Sequence, residues 1–377
     1  MSSSVKESSR LHVFMTADAV GGVWQYALDL GEGLRPYGVR IDLAVLGPAP
    51  SPDQEAMAET AGVRVIPMGL PLDWIAAGRD EVVAAGRAVA RMAAQVDPDI
   101  VHLNSPALAA DASFPAPVVA VCHSCVATWW QSVRSGPLPE DFVWRADLVR
   151  HGCLNADMVL APTAAFAKAT AQSYDLETLP VVVHNGRRAA EPAAGATPGL
   201  FAFTAGRLWD EGKNLVSLDR AAKRLSVPVL AAGPLVGPNG AQVSARHVQT
   251  LGRLTDVQVE RHLGARPIFA SVAHYEPFGL AVLEAAQAGC ALVLSDIPTF
   301  RELWDGAALF VSPNDDQELA KAIEKLADDA DERACMGRRA QDAAKAYDVE
   351  RMSMSVLSVY RSLLDAKRNT SSVEDAA

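Results

Sequence analysis

Short, mostly apolar runs alternate with amphipathic stretches along the chain. Runs of this length, bounded by turn residues, are typical of strands that are buried on both faces of a parallel sheet. In the first half the predicted strands are Leu11–Thr16, Val39–Leu46, Val63–Pro67, Ile100–Leu103, Val118–Cys122, Met158–Leu160 and Val181–Val183. Helical periodicity occurs between them, most clearly over Glu81–Ala94 and Asp141–Ala156. Strands that alternate with helices predict βαβ units and a parallel sheet.

The alternation stops at residues 187–199, which are rich in Ala, Pro and Gly, and then begins again. We interpret this stretch as a linker. Beyond it the predicted strands are Leu200–Thr204, Val227–Ala231, His247–Thr250, Pro267–Ala270, Ala291–Leu294 and Ala308–Val311. The predicted helices are Asn214–Leu225, Gly279–Ala288, Asp315–Tyr347 with one break, and Val349–Asp365. This pattern predicts an α/β protein with two Rossmann-like domains, 11–186 and 198–346, and disordered tails at 1–10 and 367–377.

Composition and charge narrow the class of protein. Of the 377 residues, 50% are hydrophobic and 21% are charged, which is typical of a globular chain. The 34 Lys and Arg residues face 45 Asp and Glu residues, giving a net charge of −11, and both halves of the chain are acidic. We therefore expect no nucleic-acid partner, because such a partner requires a basic surface.

The location of the protein is predicted from what the sequence lacks. Met1–Arg10 is polar and does not resemble a secretory signal, and no apolar run reaches the roughly 18 residues of a membrane span. The five cysteines are scattered and odd in number, which favours a reducing cytoplasm over a disulfide framework. Peripheral membrane contact is compatible with the sequence, but no polybasic cluster supports it.

The candidates for function are the polar residues that directly follow strands, because open parallel sheets bind ligands at the carboxyl ends of their strands. Glu276-Pro277-Phe278-Gly279-Leu280 lies between a predicted strand and a predicted helix. Pro277 is suited to the first helical turn. The amides of Phe278, Gly279 and Leu280 would then be free at the helix start, where they would form a site for a phosphate.

Glu276 and Glu284 stand at the two ends of this segment. Eight positions correspond to ~12 Å along an ideal helix. The two carboxylates are therefore too far apart for the acid and base pair of a glycoside hydrolase, which needs ~5–9.5 Å. They are better placed to hold two parts of one extended ligand with an anion between them, and a sugar nucleotide has this form. The alternative is an ordinary amphipathic helix with one solvated glutamate.

Two cations follow the first strand of the second half. Arg207 offers a fork of donors for phosphate oxygens, and Lys213 offers a point charge. Together they would neutralise a departing diphosphate. The alternative is a surface loop whose charges are solvated.

Two further candidates follow strands of the first half. Gly21 and Gly22 allow a tight turn and the close approach of a ligand, although no GxGxxG fingerprint is present. His123 ends a predicted strand and is suited to position a sugar, unless its role is structural. The CxxC spacing of Cys122 and Cys125 provides only two metal ligands, and a redox or metal role is the lesser alternative.

Together these segments resemble the retaining glycosyltransferases of family four, which have the GT-B fold. The resemblance runs from Leu11 to about Leu364, and its most specific part is the E-x7-E motif from Glu276 to Glu284 in an EPFGL…EA context. The other matching segments are Gly21-Gly22-Val23, His123, His184-Asn185-Gly186 and Gly206–Asn214. The family places its lysine five residues after the arginine, whereas Lys213 is six residues after Arg207.

The resemblance implies two domains that face each other across a cleft, with residues 347–366 crossing back onto the first domain. It implies retaining transfer of a sugar from a nucleotide-diphosphate sugar to an acceptor hydroxyl, without a metal ion or other cofactor. The leaving diphosphate would be stabilised by side chains and amides of Arg207, Lys213, Gly21, Gly22, Phe278, Gly279 and Leu280. Glu284 would hold the ribose, Glu276 would bind the donor sugar, and His123 would orient that sugar.

Two other functions are compatible with the same residues: an epimerase or hydrolase of nucleotide sugars on this fold, and a sugar-nucleotide-binding protein without catalysis. The acceptor is left open between a saccharide, a lipid-linked compound and a small molecule. Residues 128–140 follow His123 and are the predicted acceptor-side loop.

Overall fold

The computed structural model describes residues 11–190 and 199–374, so the predicted tail at 1–10 lies outside the described residues. The first half forms a sheet of seven parallel strands in the order β3-β2-β1-β4-β5-β6-β7. The strands are His12–Asp18 (β1), Arg40–Leu46 (β2), Val63–Pro67 (β3), Ile100–Leu103 (β4), Val118–Val121 (β5), Met158–Ala161 (β6) and Val181–Val182 (β7). The helices are Gly22–Leu34 (α1), Pro52–Ala61 (α2), Arg79–Val96 (α3), Val126–Val133 (α4), Glu140–Asn155 (α5) and Ala164–Tyr174 (α6).

The second half forms a sheet of six parallel strands in the order β10-β9-β8-β11-β12-β13. The strands are Ala202–Ala205 (β8), Val229–Ala232 (β9), Gln249–Gly252 (β10), Ile268–Ser271 (β11), Ala291–Ser295 (β12) and Ala308–Val311 (β13). The helices are Leu215–Ala222 (α7), Asp256–Gly264 (α8), Leu280–Gln287 (α9), Pro298–Trp304 (α10), Asp316–Asp328 (α11) and Ala330–Ala344 (α12), followed by Val349–Glu374 (α13).

Each sheet is covered by helices on both faces, which explains why its central strands are apolar almost throughout. In β1, Phe14 and Met15 project to opposite faces of the sheet and both are fully buried, in two separate clusters. Phe203 in β8 and Phe269 in β11 are likewise buried. Both sheets have the doubly wound order with its reversal at the first strand, at β1/β4 and at β8/β11.

The last helix returns to the first sheet. Met352, Val356 and Tyr360 of α13 are buried in the same cluster as Trp24 and Leu28 of α1. The prediction of two parallel-sheet α/β domains with a returning C-terminal helix is thus confirmed. The helix continues to Glu374, so the prediction of a disordered tail from residue 367 is wrong as far as residue 374.

Side chains of one half are bonded to the backbone of the other at the carboxyl ends of the strands. Thr163 Oγ1 donates to the carbonyl of Pro277 at 3.0 Å, and the Cys125 amide donates to Tyr275 Oη at 3.0 Å. The two halves are thus in direct contact at the carboxyl ends of their strands. The predicted domain boundaries stay predictions, because residues 191–198 lie outside the described part of the chain.

Candidate active site

The start of α9 forms one wall of the site. Gly279 is the N-terminal cap of α9 and has a left-handed backbone with φ of 94°, a conformation that L-residues with a Cβ rarely adopt. Pro277 therefore lies before the helix, and the prediction that it occupies the first helical turn is wrong. Within residues 11–190 and 199–374, the amides of Leu280 and Ala281 have no hydrogen-bond acceptor. The first amides of a helix are commonly unpaired, and they can bind an anion.

Lys213 and Glu276 meet in front of this helix. Lys213 Nζ forms an ion pair with Glu276 Oε2, and their side chains are 22% and 15% exposed. The backbone carbonyl of Glu276 also accepts a hydrogen bond from Thr299 Oγ1 at 2.7 Å. Lys213 and Glu276 both border a small recess of about 20 Å³ beside β8. The ion pair places one cation and one carboxylate together in front of the helix start.

The additional residue between Arg207 and Lys213 is absorbed by a short 3₁₀ turn, Glu211–Lys213. Asp210 caps the turn by accepting from the Gly212 amide at 2.9 Å, and it also accepts from Trp129 Nε1 at 3.0 Å. A Cβ on Gly212 would lie only 3.0 Å from that indole nitrogen, so a larger residue there would force the Trp129 ring to shift. The six-residue spacing thus still delivers Lys213 to Glu276.

Arg207 lies on the other side of this loop. Its guanidinium is 3.4 Å from Asp210 Oδ2 and 5.8 Å from the centre of the Trp209 ring, and its side chain is 47% exposed. It therefore keeps donors that face solvent, but it does not contact Lys213 or Glu276. The two predicted cations thus border different recesses of one cleft.

Glu284 has a partner that the sequence did not indicate. Arg187 Nε lies 2.5 Å from Glu284 Oε1, and Arg187 Nη1 lies 3.2 Å from Asp29 Oδ2 on α1. Burial raises the pKa of Glu284, and the charge of Arg187 opposes that rise. Glu284, which was predicted to hold the ribose, is thus part of a triad of charged side chains that joins both halves of the protein.

The glycine turn of the first half faces α9. A Cβ on Gly22 would lie 3.4 Å from the Leu280 side chain, and Asp18 Oδ1 caps the turn by accepting from the amides of Val20 and Gly21 at 2.8 and 3.1 Å. The structure therefore brings Gly21 and Gly22 next to the start of α9. Phe278, in contrast, has its ring buried against Tyr347, so only its backbone borders this region.

His123 follows β5 and is held by Asn104, which follows β4. His123 Nε2 donates to Asn104 Oδ1 at 2.8 Å, and Asn104 Nδ2 donates to the carbonyl of Thr16 at 2.7 Å, which fixes the amide orientation. Burial lowers the pKa of His123 to about 3, so its ring is neutral, with Nδ1 unprotonated. Nδ1 is therefore an acceptor, suited to a sugar hydroxyl.

Behind Asn104 lies a second buried histidine. His102 Nε2 lies 3.2 Å from Asn104 Oδ1, and Tyr360 of α13 donates to His102 Nδ1 at 2.7 Å. Burial lowers the pKa of His102 to about 4. The returning helix therefore supports the orientation of His123 through two intermediate side chains. Sequence reasoning did not identify Asn104, although its position directly after β4 was a usable signal.

A cavity of about 610 Å³ opens beside His123, between the two halves. Arg207, Asp210 and Tyr275 border it from the second half. The predicted acceptor-side loop, residues 128–140, also borders the cavity. The prediction of a loop is wrong for its first part, because α4 extends to Val133. Trp129 lines the cavity, while Trp130 bonds to the carbonyl of Gly136.

No group of three or more His, Cys, Asp or Glu side chains with the arrangement of a metal site occurs in the described part of the chain. Cys122 and Cys125 are both buried and unbridged. None of the helices in the described ranges is both long enough and apolar enough to cross a membrane.

Profiles of two families match the chain. "Glycosyltransferase Family 4" matches residues 20–190, and "Glycosyl transferases group 1" matches residues 243–343. The matched ranges contain the glycine turn and His123 in one case and the E-x7-E segment in the other. The chain is a family 4-like glycosyltransferase. The relationship that the motifs predicted, and the prediction of an enzyme, are thus confirmed.

Curated relatives extend this glycosyltransferase similarity over most of the chain. It is 26% identical to a phosphatidyl-myo-inositol mannosyltransferase of Mycolicibacterium smegmatis, over 93% of this chain and 92% of the relative. It is 28% identical to the protein of the same name from Mycobacterium tuberculosis, over 81% of this chain and 82% of that relative.

Solved structures share the fold of this glycosyltransferase. Sucrose-phosphate synthase from Thermosynechococcus elongatus superposes with a TM-score of 0.77 at 18% identity, covering 95% of this chain and 100% of that one. HepE of Anabaena, solved in complex with UDP-glucose, gives a TM-score of 0.70 at 20% identity, with coverage of 94% and 100%.

Proposed function

We propose that this glycosyltransferase moves a sugar from a nucleotide-diphosphate sugar to an acceptor hydroxyl with retention of anomeric configuration. The observation that carries the proposal is the pairing of Lys213 with Glu276 in front of the unbonded amides of α9, opposite the glycine turn. A diphosphate at this helix start would receive amide donors and one or two cations. The complex of HepE with UDP-glucose supports a donor of this class.

Each candidate residue has a distinct role in the proposed reaction. Arg207 and Lys213 stabilise the negative charge that develops on the leaving diphosphate. Glu276 binds hydroxyls of the donor sugar once Lys213 turns towards the phosphates, and Glu284 binds the ribose. His123 accepts a hydrogen bond from the sugar near its anomeric carbon. The acceptor hydroxyl attacks on the face that the diphosphate leaves, and a phosphate oxygen takes its proton.

We further propose that the reaction needs no metal ion and takes place in the cytoplasm. Lys213 in front of α9 and Arg207 across the same loop are the cations that would neutralise the diphosphate, and no group of three or more His, Cys, Asp or Glu side chains suited to a metal ion occurs in the described residues. The free cysteines of the described chain favour a reducing compartment.

A screen of nucleotide sugars by mass spectrometry tests the proposal. We expect transfer with one donor class, and a loss of about 10²–10³-fold in kcat/KM for Arg207→Ala and Glu276→Ala. Arg261→Ala and Glu260→Ala on the exposed face of α8 are matched controls that should keep full activity. Full activity in both site variants contradicts the proposal, as does inversion at the anomeric carbon of the product by NMR.

The two alternative functions give different results in the same screen. An epimerase or hydrolase yields an altered or free sugar while acceptor is present. A binding protein without catalysis is stabilised thermally by a nucleoside diphosphate but produces no turnover.

A further inference from the structure

The 610 Å³ cavity beside His123 has the size of a site for one small molecule, for which volumes of about 300–1,000 Å³ are usual. Aliphatic side chains and aromatic rings form much of its lining. The aliphatic residues are Leu46, Leu72, Val82, Leu108, Leu148 and Val149. The aromatic residues are Trp74, Trp129, Phe142 and Trp144. An apolar ring system would be stabilised there.

Polar residues line the cavity beside the proposed reaction centre. They are Asn104, Ser105, His123 and Ser124. A hydroxyl placed here lies beside the histidine that would orient the donor sugar. The aliphatic side chains of the lining offer no hydrogen-bond partners, so an acceptor hydroxyl buried against them would be unsatisfied.

The charges around the cavity are unbalanced. Asp18, Asp73, Asp141 and Asp210 border it, while its cations are Arg145 and Arg207. Arg145 is occupied, because its Nη1 and Nη2 donate to the carbonyls of Asp73 and Ala76 at 2.5 and 2.7 Å. Each cation is also close to a carboxylate of the wall, since Arg145 lies 3.7 Å from Asp141 Oδ2 and Arg207 lies 3.4 Å from Asp210 Oδ2. Among the described residues that line the cavity, the carboxylates are therefore in excess, and the proposed function assigns Arg207 to the donor.

Asp73 is the carboxylate that we expect to contribute most to the exclusion of anions from the cavity. It is half-buried in the wall, and its carboxylate accepts from Ser105 Oγ at 2.7 Å. Burial raises the pKa of Asp73 and the nearby carboxylate of Asp18 adds to that rise, while the hydrogen bond from Ser105 and the charge of Arg145 oppose it. An anion brought next to these two carboxylates would lose its hydration beside two like charges, while the nearby charge of Arg145 already acts on Asp73 and Asp141, which makes its binding costly.

We propose that the acceptor is a compact, uncharged alcohol with an apolar ring body, whose hydroxyl lies beside His123 and whose rings fill the cavity. This inference rests on the proposed function for the identity of the cavity as the acceptor site. It excludes anionic lipid headgroups as the acceptor, because the carboxylates of Asp18 and Asp73 would repel them.

The test is isothermal titration of the full chain, without donor, by two probes that share one ring system. We expect 2-naphthalenemethanol to bind at least about tenfold more tightly than 2-naphthoate, a difference of about 1.4 kcal/mol. Soluble dioctanoyl phosphatidylinositol is the lipid probe and should bind more weakly than the alcohol. Because no donor is present, a failure of sugar transfer does not affect this result.

Two variants locate the binding in the cavity. Asp73→Asn keeps the hydrogen bond to Ser105 and removes the charge, and Ile75→Arg adds a cation at a position that is 40% exposed. In each variant, the dissociation constants of the two naphthalene probes should differ by no more than about threefold. Asp53→Asn, on exposed α2, is the matched control and should leave the difference unchanged.

The inference is overturned by any of three results. The first is binding of the carboxylate or the lipid probe as tightly as the alcohol. The second is an absence of alcohol binding. The third is an unchanged preference in both Asp73→Asn and Ile75→Arg, since Ile75 is too exposed for its substitution to prevent folding.

Discussion

Lys213 and Glu276 form an ion pair although 63 positions separate them in the sequence. The pair joins the loop after β8 to the loop after β11, which are the two strands at the reversal point of the second sheet. Ligands of doubly wound sheets bind at this point. The pair therefore combines a cation for phosphate oxygens and a carboxylate for sugar hydroxyls at one place.

Replacing Lys213 should affect catalysis far more than folding. We expect Lys213→Gln to lower kcat/KM for sugar transfer by about 10²-fold, because one preorganised cation for the leaving diphosphate is lost. Lys223→Gln, on the exposed end of α7, should retain activity and serves as the control. Equal activities of the two variants would show that Lys213 does not act on the diphosphate.

The triad of Asp29, Arg187 and Glu284 should contribute to stability across the two halves. Arg187→Gln leaves two carboxylates without their shared cation, and we expect the free energy of unfolding to fall by about 3 kcal/mol. The side chain of the neighbouring Arg188 is 70% exposed and pairs with Glu32. Arg188→Gln should therefore change the free energy of unfolding by less than about 1 kcal/mol. Urea unfolding measures both variants, and similar losses would contradict a structural role for the triad.

The histidines behind the site predict how stability depends on pH. The pKa of His102 is about 4 in the folded protein and about 6.5 in the unfolded chain, so protons bind the unfolded chain preferentially. The contribution of the neutral ring is complete above pH 6.5 and is lost as the pH falls towards 4. The free energy of unfolding should decrease by about 1.4 kcal/mol per pH unit in this window for His102 alone.

Comparison with a His102→Gln variant isolates this contribution. Between pH 6.5 and pH 4.5, the free energy of unfolding of the variant should change less steeply with pH than that of the unmodified chain. The expected difference in slope is about 1.4 kcal/mol per pH unit, which corresponds to one proton. Identical slopes would mean that the proton uptake has another source.

The turn that carries Lys213 should be sensitive to one methyl group. A Cβ on Gly212 would lie 3.0 Å from Trp129 Nε1 and 3.1 Å from Asp210 Oδ1, so Gly212→Ala should disrupt their hydrogen bond. We expect a loss of about 1–2 kcal/mol in unfolding free energy and a lower transfer rate. Gly78→Ala meets no atom within 4 Å and is the control for thermal unfolding and turnover; equal effects would argue against the proposed packing.

The parts of the fold that sequence reasoning predicted are those with strong local patterns. β3, β4 and β13 have the predicted bounds, because buried parallel strands are short apolar runs between turns. Helices α2 and α6 were not predicted. Only Ala58 and Ala61 are buried in α2, and α6 is rich in alanine, so neither presents a strong apolar stripe.

The site was predictable where a motif lies within one segment and not where partners come from distant segments. Glu276 and Gly279 belong to one short run, so their positions at the start of α9 follow from the sequence. Glu284 was predicted to hold the ribose, but the sequence did not indicate its ion pair with Arg187, and the support of His123 by Asn104 also joins separate strands. The left-handed Gly279 starts α9 later than Pro277 alone indicates.

A crystal structure with the nucleoside diphosphate that stabilises the protein most in a thermal-shift panel of UDP, GDP and ADP tests the central claim most directly. We predict that its diphosphate lies at the start of α9, within hydrogen-bond distance of the amides of Gly279 or Leu280 and of Lys213. A diphosphate bound elsewhere in the cleft, with Lys213 still paired to Glu276 and these amides unoccupied, would contradict the account.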